Sequence, residues 1–184
     1  MIRIAWLLVA ICLAVAPGTA RSDQRDPQLN GLFDRLKATT DPVEARSIES
    51  SIWQIWMTSD SAEVNKLMAD GVQAMASGDF AEAFKTFDRT VDAAPDFAEG
   101  WNKRATVLYL MGEYAASMAD VDRTLALEPR HFGALSGLGL IDVELDRDDD
   151  ALEAFQRALA INPHMPGVLH NVEEARKRIQ DRQI

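Results

Sequence analysis

The segment AAPDFAEGWNKRA, residues 93–105, places a proline directly after an apolar helical pattern and restarts a helical pattern at once. Proline lacks a backbone N–H and disfavours helix in the residue before it, so Pro95 marks the end of a helix. The same corner returns in ALEPRHFGALSGLG, residues 126–139, and in AINPHMPGVLHN, residues 160–171. Its prolines, Pro95, Pro129 and Pro163, are 34 positions apart, so the chain contains an internal repeat.

Residues of similar size recur when the chain is divided into blocks of 34 that begin at Val64, Ala98 and Phe132. Positions 8 and 20 of each block are small, which lets two antiparallel helices approach closely, and larger residues at positions 4 and 24 surround that contact. In block order, positions 4, 8, 20 and 24 are Leu67, Trp101, Leu135; Gly71, Ala105, Gly139; Ala83, Ser117, Ala151; and Phe87, Val121, Phe155. Gly78 and Gly112 suit the left-handed turn that ends a helix, so each block predicts a helical pair.

This pattern resembles the tetratricopeptide repeat (TPR) family, whose unit is a 34-residue helix-turn-helix with a proline near its end. The resemblance implies an all-α, right-handed solenoid with a concave face formed by the first helix of each repeat. It divides the chain into three repeats at residues 64–97, 98–131 and 132–165. We predict a helical N-terminal cap at 21–61 that reads as a degenerate repeat, and a capping helix at 166–184, because a solenoid must cover its ends.

Several residues depart from the family pattern. Asp142 and Asp148 stand where the pattern favours aromatic residues, so we expect the third repeat to pack less tightly on that side. Trp53 and Trp56 lie three positions apart on a predicted helix, a spacing that usually marks a buried face, and we predict that they form the core of the N-terminal cap. If they were exposed instead, a homodimer contact would explain them.

The resemblance also implies a binding groove, because positions 2, 5, 9 and 12 of each first helix face the concave side in this family. Transferred residue by residue, the predicted groove is Asn65, Met68, Val72, Met75, Glu99, Asn102, Thr106, Tyr109, Gly133, Ser136, Leu140 and Val143. Methionine, tyrosine and aliphatic side chains of this kind suit an extended or helical peptide. Some family members clamp a chaperone's terminal carboxylate with Lys and Asn, but Met68 and Val72 occupy those positions here. An alternative that stays open is a groove filled by the protein's own terminal helix.

The first 20 residues, MIRIAWLLVAICLAVAPGTA, have the layout of a cleavable signal peptide. Gly18 and Ala20 are the small residues expected before a cut after Ala20, and the apolar run is short for a permanent anchor. An uncleaved anchor stays open, and a lipoprotein signal is disfavoured because Ile11 before Cys12 is not small. Since Cys12 is the only cysteine, the cleaved chain would form no disulfide. We therefore expect a periplasmic or secreted protein of a Gram-negative bacterium.

Net charge and motifs exclude several classes of function. A formal net charge of −10 disfavours binding to nucleic acid and to anionic membranes. The acids at 146, 148 and 150 mimic a calcium loop, but Ala151 and Arg157 stand where its glycine and glutamate belong. The three histidines, His131, His164 and His170, lack the spacing of a metal site and are predicted to be surface residues. No catalytic set or phosphate-binding loop is present, so we expect no enzyme and no cofactor.

The sequence thus predicts a non-catalytic protein-interaction module that binds a peptide or helix of an envelope partner in the concave groove, in a scaffold or assembly role. Two other readings stay open. One is a self-associating scaffold, a homo-oligomer. The other is a metal-dependent protein that uses the corner histidines.

Overall fold

A computed structural model of the protein describes residues 23–182. Within this range the chain forms nine helices and no strand. The helices are α1 (Gln28–Ala38), α2 (Pro42–Trp56), α3 (Ala62–Ala76), α4 (Phe80–Ala93), α5 (Ala98–Leu110), α6 (Tyr114–Leu127), α7 (Phe132–Glu144), α8 (Asp148–Ile161) and α9 (Pro166–Asp181). The predicted signal peptide, with Cys12, lies outside the described residues.

Helices α3 to α8 form three antiparallel pairs that stack side by side, and α9 packs on α8 as the first helix of another pair would. The small residues make this close packing possible. A Cβ atom on Gly71 would lie 2.6 Å from the ring of Phe87, and one on Gly139 would lie 2.4 Å from the ring of Phe155. The predicted all-α repeat solenoid is therefore confirmed.

The turns within the pairs use a left-handed residue at the same repeat position each time. Gly78 has a φ of 79° and Gly112 a φ of 78°, as the sequence suggests. In the third turn Asp146 takes the position with a φ of 55°, a conformation that aspartate tolerates better than most side chains. At the corner after α4, the Trp101 indole N–H donates a 3.1 Å hydrogen bond to the carbonyl oxygen of Pro95. The bond joins the start of the second repeat to the proline that ends the first.

In the third repeat, ion pairs occupy the side on which looser packing was expected. Its two unusual acids are held by arginines: Asp142 pairs with Arg147 at 2.7 Å, and the buried Asp148 pairs with Arg182 at 3.1 Å. Burial raises the pKa of Asp142, and the charge of Arg147 opposes that rise. Ion pairs thus replace the aromatic packing, and Arg182 after α9 ties the C-terminal helix to the last pair.

The N-terminal hairpin, which is α1 and α2, does not stack in front of α3 as a degenerate repeat would. Its core residues, among them Leu29, Ile48 and Ile52, continue into Phe132 at the start of α7. Ile161 and Met165, next to the last proline corner, pack against the same cluster. The hairpin therefore lies along the edge of the solenoid that carries the three proline corners.

Candidate functional site

Helix α1 and the residues before it contact the three proline corners in succession. At the first corner, the Gln24 side chain donates a 2.6 Å hydrogen bond to the carbonyl oxygen of Asp96 and accepts a 3.2 Å hydrogen bond from the backbone N–H of Ala98. At the second corner, the Arg130 guanidinium donates a 2.8 Å hydrogen bond to the side-chain oxygen of Asn30. It also lies 4.4 Å from the ring centre of Phe33. The third contact joins His164 Nε2 to the carbonyl oxygen of Leu36 at 3.1 Å. These contacts fix the hairpin across all three repeats.

A buried charged cluster lies where α2 meets the solenoid; it consists of Trp56, Glu99, Asn102, Lys103 and His131. The His131 ring stacks on the Trp56 indole at 4.1 Å between centroids and 10° between planes. His131 Nδ1 accepts a 3.0 Å hydrogen bond from the backbone N–H of Ala134 at the start of α7, so the proton is on Nε2. Nε2 then donates to Glu99 at 2.8 Å. The ring is thus a neutral helix cap locked in one tautomer.

Glu99 is fully buried, and its environment determines its ionisation. Burial by itself would raise the pKa of this carboxyl, but the hydrogen bond from His131 and the charge of Lys103 outweigh burial and lower the pKa. The Lys103 ammonium lies 3.0 Å from the carboxylate and 5.5 Å from the ring centre of Trp53, and Asn102 donates a further 3.0 Å hydrogen bond. The cluster therefore contains an ion pair, Glu99 with Lys103, that Trp53 and Trp56 of the hairpin cover.

Trp56 is 1 % exposed and Trp53 half-buried, so the two tryptophans do form the core of the hairpin, as predicted. Their position has a consequence for the groove. A Cβ atom on Gly133, a predicted groove residue, would lie 2.6 Å from Trp53. The N-terminal hairpin therefore covers the part of the concave face that lies next to the proline corners. This partly matches the alternative in which the chain fills its own groove.

Four predicted groove residues are buried or already hydrogen-bonded within the chain. Glu99 is the buried acid of the charged cluster, and Met68 is 1 % exposed within a core to which Met57, the residue after α2, contributes. Asn102 is 7 % exposed and is turned towards Glu99. Asn65 is occupied as well, because its side chain exchanges two 2.7 Å hydrogen bonds with the backbone of Ser59.

The open part of the concave face is a cavity of about 190 Å³ between α5 and α7, called here the α5–α7 cavity. It brings together six of the predicted groove residues, which are Asn102, Thr106, Tyr109, Gly133, Ser136 and Leu140. The rest of its lining, which was not predicted to face the groove, is Ala105, Ser117, Val121, Gly137 and Ile141. Val143 joins Leu140 in a second hollow against α9. Val72 and Met75 lie half-buried on α3, outside this cavity.

Two tyrosines and a carboxylate form one rim of the α5–α7 cavity. The hydroxyl of Tyr109 lies 3.4 Å from one oxygen of Glu144, and that of Tyr114 lies 3.3 Å from the other. The ring centroids of the tyrosines are 5.8 Å apart. Desolvation, followed by the negative charge of Glu144, raises the pKa of both phenols, so both hydroxyls stay protonated at neutral pH.

The histidines are placed differently from the sequence expectation. His131 is fully buried instead of lying at the surface, because it caps α7 and stacks on the hairpin, and His164 is half-buried beside Leu36. Only His170 is exposed. Within residues 23–182, no three His, Cys, Asp or Glu side chains are grouped so that they could hold a metal ion.

The charged cluster was missed from sequence, although its parts were visible. Glu99 stands at position 2 of one repeat and His131 is the last residue of that same repeat, so the period alone says nothing about their contact. The repeat pattern does not predict where the hairpin packs, and it is the hairpin's tryptophans that cover His131 and Lys103. A lone acid at a predicted groove position, followed by a lysine four residues later, was the available signal.

In the part of the chain that the structure covers, none of the helices combines the length and apolar character needed to cross a membrane.

Comparison with known proteins places the chain in a family. A family model described as tetratricopeptide repeat matches residues 71–124 and again residues 103–166. A TPR repeat-containing protein of Rhizobium etli is 40% identical over 136 residues, which are 74% of this chain and 67% of that protein. DnaJ homolog subfamily C member 3 of Mus musculus is 30% identical over 149 residues, 81% of this chain but only 27% of the relative.

Solved structures agree with the fold. The first TPR of Spaghetti bound to an HSP90 peptide has a TM-score of 0.63 at 20% identity and covers 66% of this chain and 96% of its own. The crystal structure of MamA protein has a TM-score of 0.60 at 19% identity, with 82% of this chain and 80% of its own covered. From its repeat pattern, its helical pairs and these matches, the chain belongs to the tetratricopeptide repeat family.

Proposed function

We propose that this protein is a non-catalytic interaction module that binds a peptide or helix of a partner protein in the α5–α7 cavity. The observation that carries the proposal is the cavity itself. It remains open between α5 and α7 while the hairpin covers the rest of the corner side. Most of its exposed lining surface is apolar, and Asn102, Thr106, Tyr109, Ser117 and Ser136 supply its polar groups. This arrangement is typical of a site for an apolar anchor residue.

The size of the cavity favours a peptide over a small molecule. Drug-sized ligands occupy pockets of about 300–1,000 Å³, whereas this cavity measures about 190 Å³. One large side chain of a longer segment suits that space, and the backbone of the segment would lie along the groove. Two structural neighbours support a peptide-binding role: the first TPR of Spaghetti, bound to an HSP90 peptide, and the TPR2B domain of yeast Sti1, in complex with pHsp70.

We further propose that the partner belongs to the bacterial envelope and that the chain acts there in scaffolding or assembly. The support is the signal-peptide layout of residues 1–20 and the absence of cysteine after Cys12. N-terminal sequencing of the protein from fractionated cells tests this: export predicts a mature chain that begins at Arg21 in the periplasmic fraction. A full-length chain in the cytosol would refute it.

Glycine at the cavity wall offers a clean test of binding. Gly137 lines the cavity, and a Cβ atom there would meet no atom within 4 Å, so Gly137→Leu adds an apolar side chain at the cavity wall from an uncrowded Cβ position. The substitution also removes a helix-destabilising glycine, which favours the fold by up to about 1 kcal/mol. Gly31→Leu on α1 is the matched control, because Gly31 is exposed and equally uncrowded.

The measurement is cross-linking from a photoreactive residue at Thr106, followed by mass identification of the captured protein. Wild type and Gly31→Leu should capture the same partner, and Gly137→Leu should lose it. Equal capture by all three would exclude the cavity as the binding site. A captured species with the mass of the chain itself would instead identify a self-associating scaffold.

A further inference from the structure

The edge of the solenoid opposite the proline corners combines acidic, aromatic and apolar groups. It is called here the turn edge and consists of Leu110, Met111, Tyr114, Glu144 and Leu145, with Tyr109 shared with the α5–α7 cavity. Leu110, Met111 and Leu145 are 46%, 45% and 41% exposed. In the described part of the chain the other large exposed hydrophobics are Val43 and Leu169. Exposed apolar side chains therefore concentrate at the ends of α5 and α7.

The carboxylate of Glu144 is oriented but not neutralised. Each of its oxygens accepts a long hydrogen bond from a tyrosine, at 3.4 and 3.3 Å, and among the described residues no basic side chain pairs with it. Arg147, three residues further on, is directed to Asp142 instead, at 2.7 Å. An exposed carboxylate held by two tyrosine hydroxyls is thus available for a cation from outside.

The turns at this edge add further negative side chains. Helices α3, α5 and α7 end here and α4, α6 and α8 begin here, so the dipoles of the helix ends oppose one another. The turns between them carry Asp79, Glu113 and Asp146, all exposed. A positively charged group near the edge therefore gains from these carboxylates as well as from Glu144.

We infer that the turn edge docks a basic amphipathic segment of the partner, and that a lysine or arginine side chain of this segment pairs with Glu144 beside Tyr109 and Tyr114. Cations bind favourably over tyrosine faces and pair with a preoriented carboxylate. The apolar residues of the segment contact Leu110, Met111 and Leu145 or enter the cavity. This inference rests on the proposed function, because it states the chemistry of the partner that the cavity would hold.

Charge complementarity selects this occupant over others. The chain carries a formal net charge of −10, so an acidic segment would be repelled, whereas a basic one would be attracted over a long range. A second copy of the protein would present mostly acidic surface. The exception is α9, where Arg176 and Lys177 are exposed, and light scattering of the protein alone distinguishes that case.

The test uses two synthetic amphipathic helical peptides of about 15 residues, long enough to form a helix on binding. They share the same leucines and differ only in lysine or glutamate at every polar position. Fluorescence anisotropy with the full chain should show the lysine peptide binding at least about tenfold tighter than the glutamate peptide, a difference that shrinks at high salt. Equal affinities would overturn the inference.

Charge reversal provides the residue-level test. Glu144→Lys should weaken the lysine peptide about tenfold and strengthen the glutamate peptide, because the local charge changes sign. Glu153→Lys, on the exposed face of α8, makes the same change in net charge away from the edge and should alter both affinities much less. Circular dichroism confirms that both variants keep their helix content. Equal effects of the two variants would assign the preference to net charge alone and refute the site.

The cavity variant separates this inference from the proposed function. If Gly137→Leu abolishes partner capture while Glu144→Lys changes no affinity, the cavity binds the partner and the cation site is refuted. If Glu144→Lys reverses the peptide preference while Gly137→Leu has no effect on capture, the cation site holds and cavity binding fails. Concentration-dependent dimers of the protein alone that Glu144→Lys disrupts would show that the occupant is a second copy and overturn the partner assignment.

Discussion

Two glycines on α7 report directly on whether the hairpin packs on the concave face. A Cβ atom on Gly133 would lie 2.6 Å and 3.1 Å from two ring carbons of Trp53, whereas one on Gly137 would meet nothing within 4 Å. The positions are one helical turn apart on the same helix. Replacing each with alanine therefore makes the same chemical change with and without the hairpin as a neighbour.

The magnitude follows from two opposing effects. Alanine in place of helical glycine stabilises by up to about 1 kcal/mol, less near the helix start, where Gly133 lies. Overpacking costs about 1–3 kcal/mol, and the indole of Trp53 cannot move freely, since it contacts Trp56 and Phe132 edge-on at 5.3 and 5.4 Å. We expect Gly133→Ala to destabilise by about 1–2 kcal/mol and Gly137→Ala to stabilise by up to about 1 kcal/mol.

Urea unfolding followed by far-UV circular dichroism measures both free energies of unfolding. In a Trp53→Leu background the ring is gone, so Gly133→Ala should lose most of its cost, and this double variant serves as the control for the clash. If Gly133→Ala stabilised the wild-type chain as much as Gly137→Ala does, Trp53 would not lie over α7. The assignment of the hairpin to the concave face would then be wrong.

Three further predictions concern the packing of the repeats and the charged cluster. Gly139→Ala should destabilise by about 1–3 kcal/mol in thermal or urea unfolding, because its Cβ would lie 2.4 Å from Phe155, and Phe155→Leu in the same chain should reduce that cost. Glu99→Gln should destabilise at pH 7 by about 3 kcal/mol, since it leaves Lys103 without its buried partner. Folding lowers the pKa of Glu99 from its ordinary value of 4.5, so the stability from its ionisation is present above that value and is lost as the pH falls through the folded pKa. The free energy of unfolding should therefore change less below about pH 5 for Glu99→Gln than for wild type. Arg104→Met should lower the free energy of unfolding by about 2 kcal/mol, because the nearly buried Asp120 loses both 2.8 Å hydrogen bonds. Adding Asp120→Ala should recover much of that stability. If the effects of the two substitutions simply added, this pairing would be contradicted.

The repeat architecture could be predicted from sequence because its causes are local and periodic. Small residues at fixed positions, such as Gly71 and Gly139, admit the phenyl rings of the opposite helix, and each proline stops a helix at the same point of the period. Left-handed glycines such as Gly78 set the turns. Each of these signals depends on residues within one repeat, so a single sequence is enough to read them.

The candidate site was only partly predictable. Family geometry selected Thr106, Tyr109 and Leu140, and the structure brings them to one cavity because neighbouring first helices keep a fixed register. It also selected Met68 and Glu99, which the structure buries. Met68 packs in a core that helices α3 to α5 form, to which Met57 after α2 adds. Glu99 lies under the hairpin, about whose position the register of the solenoid carries no information.

The sequence by itself therefore determined the solenoid, its turns and the register of its concave face. The tertiary structure alone decided which part of that face stays open, because the hairpin has an apolar stripe that could cover any apolar surface. Contacts 128 residues apart in sequence, such as His164 with Leu36, choose its place along the proline corners. Such contacts depend on the complementary shape of two finished surfaces, which exists only after the repeats have stacked.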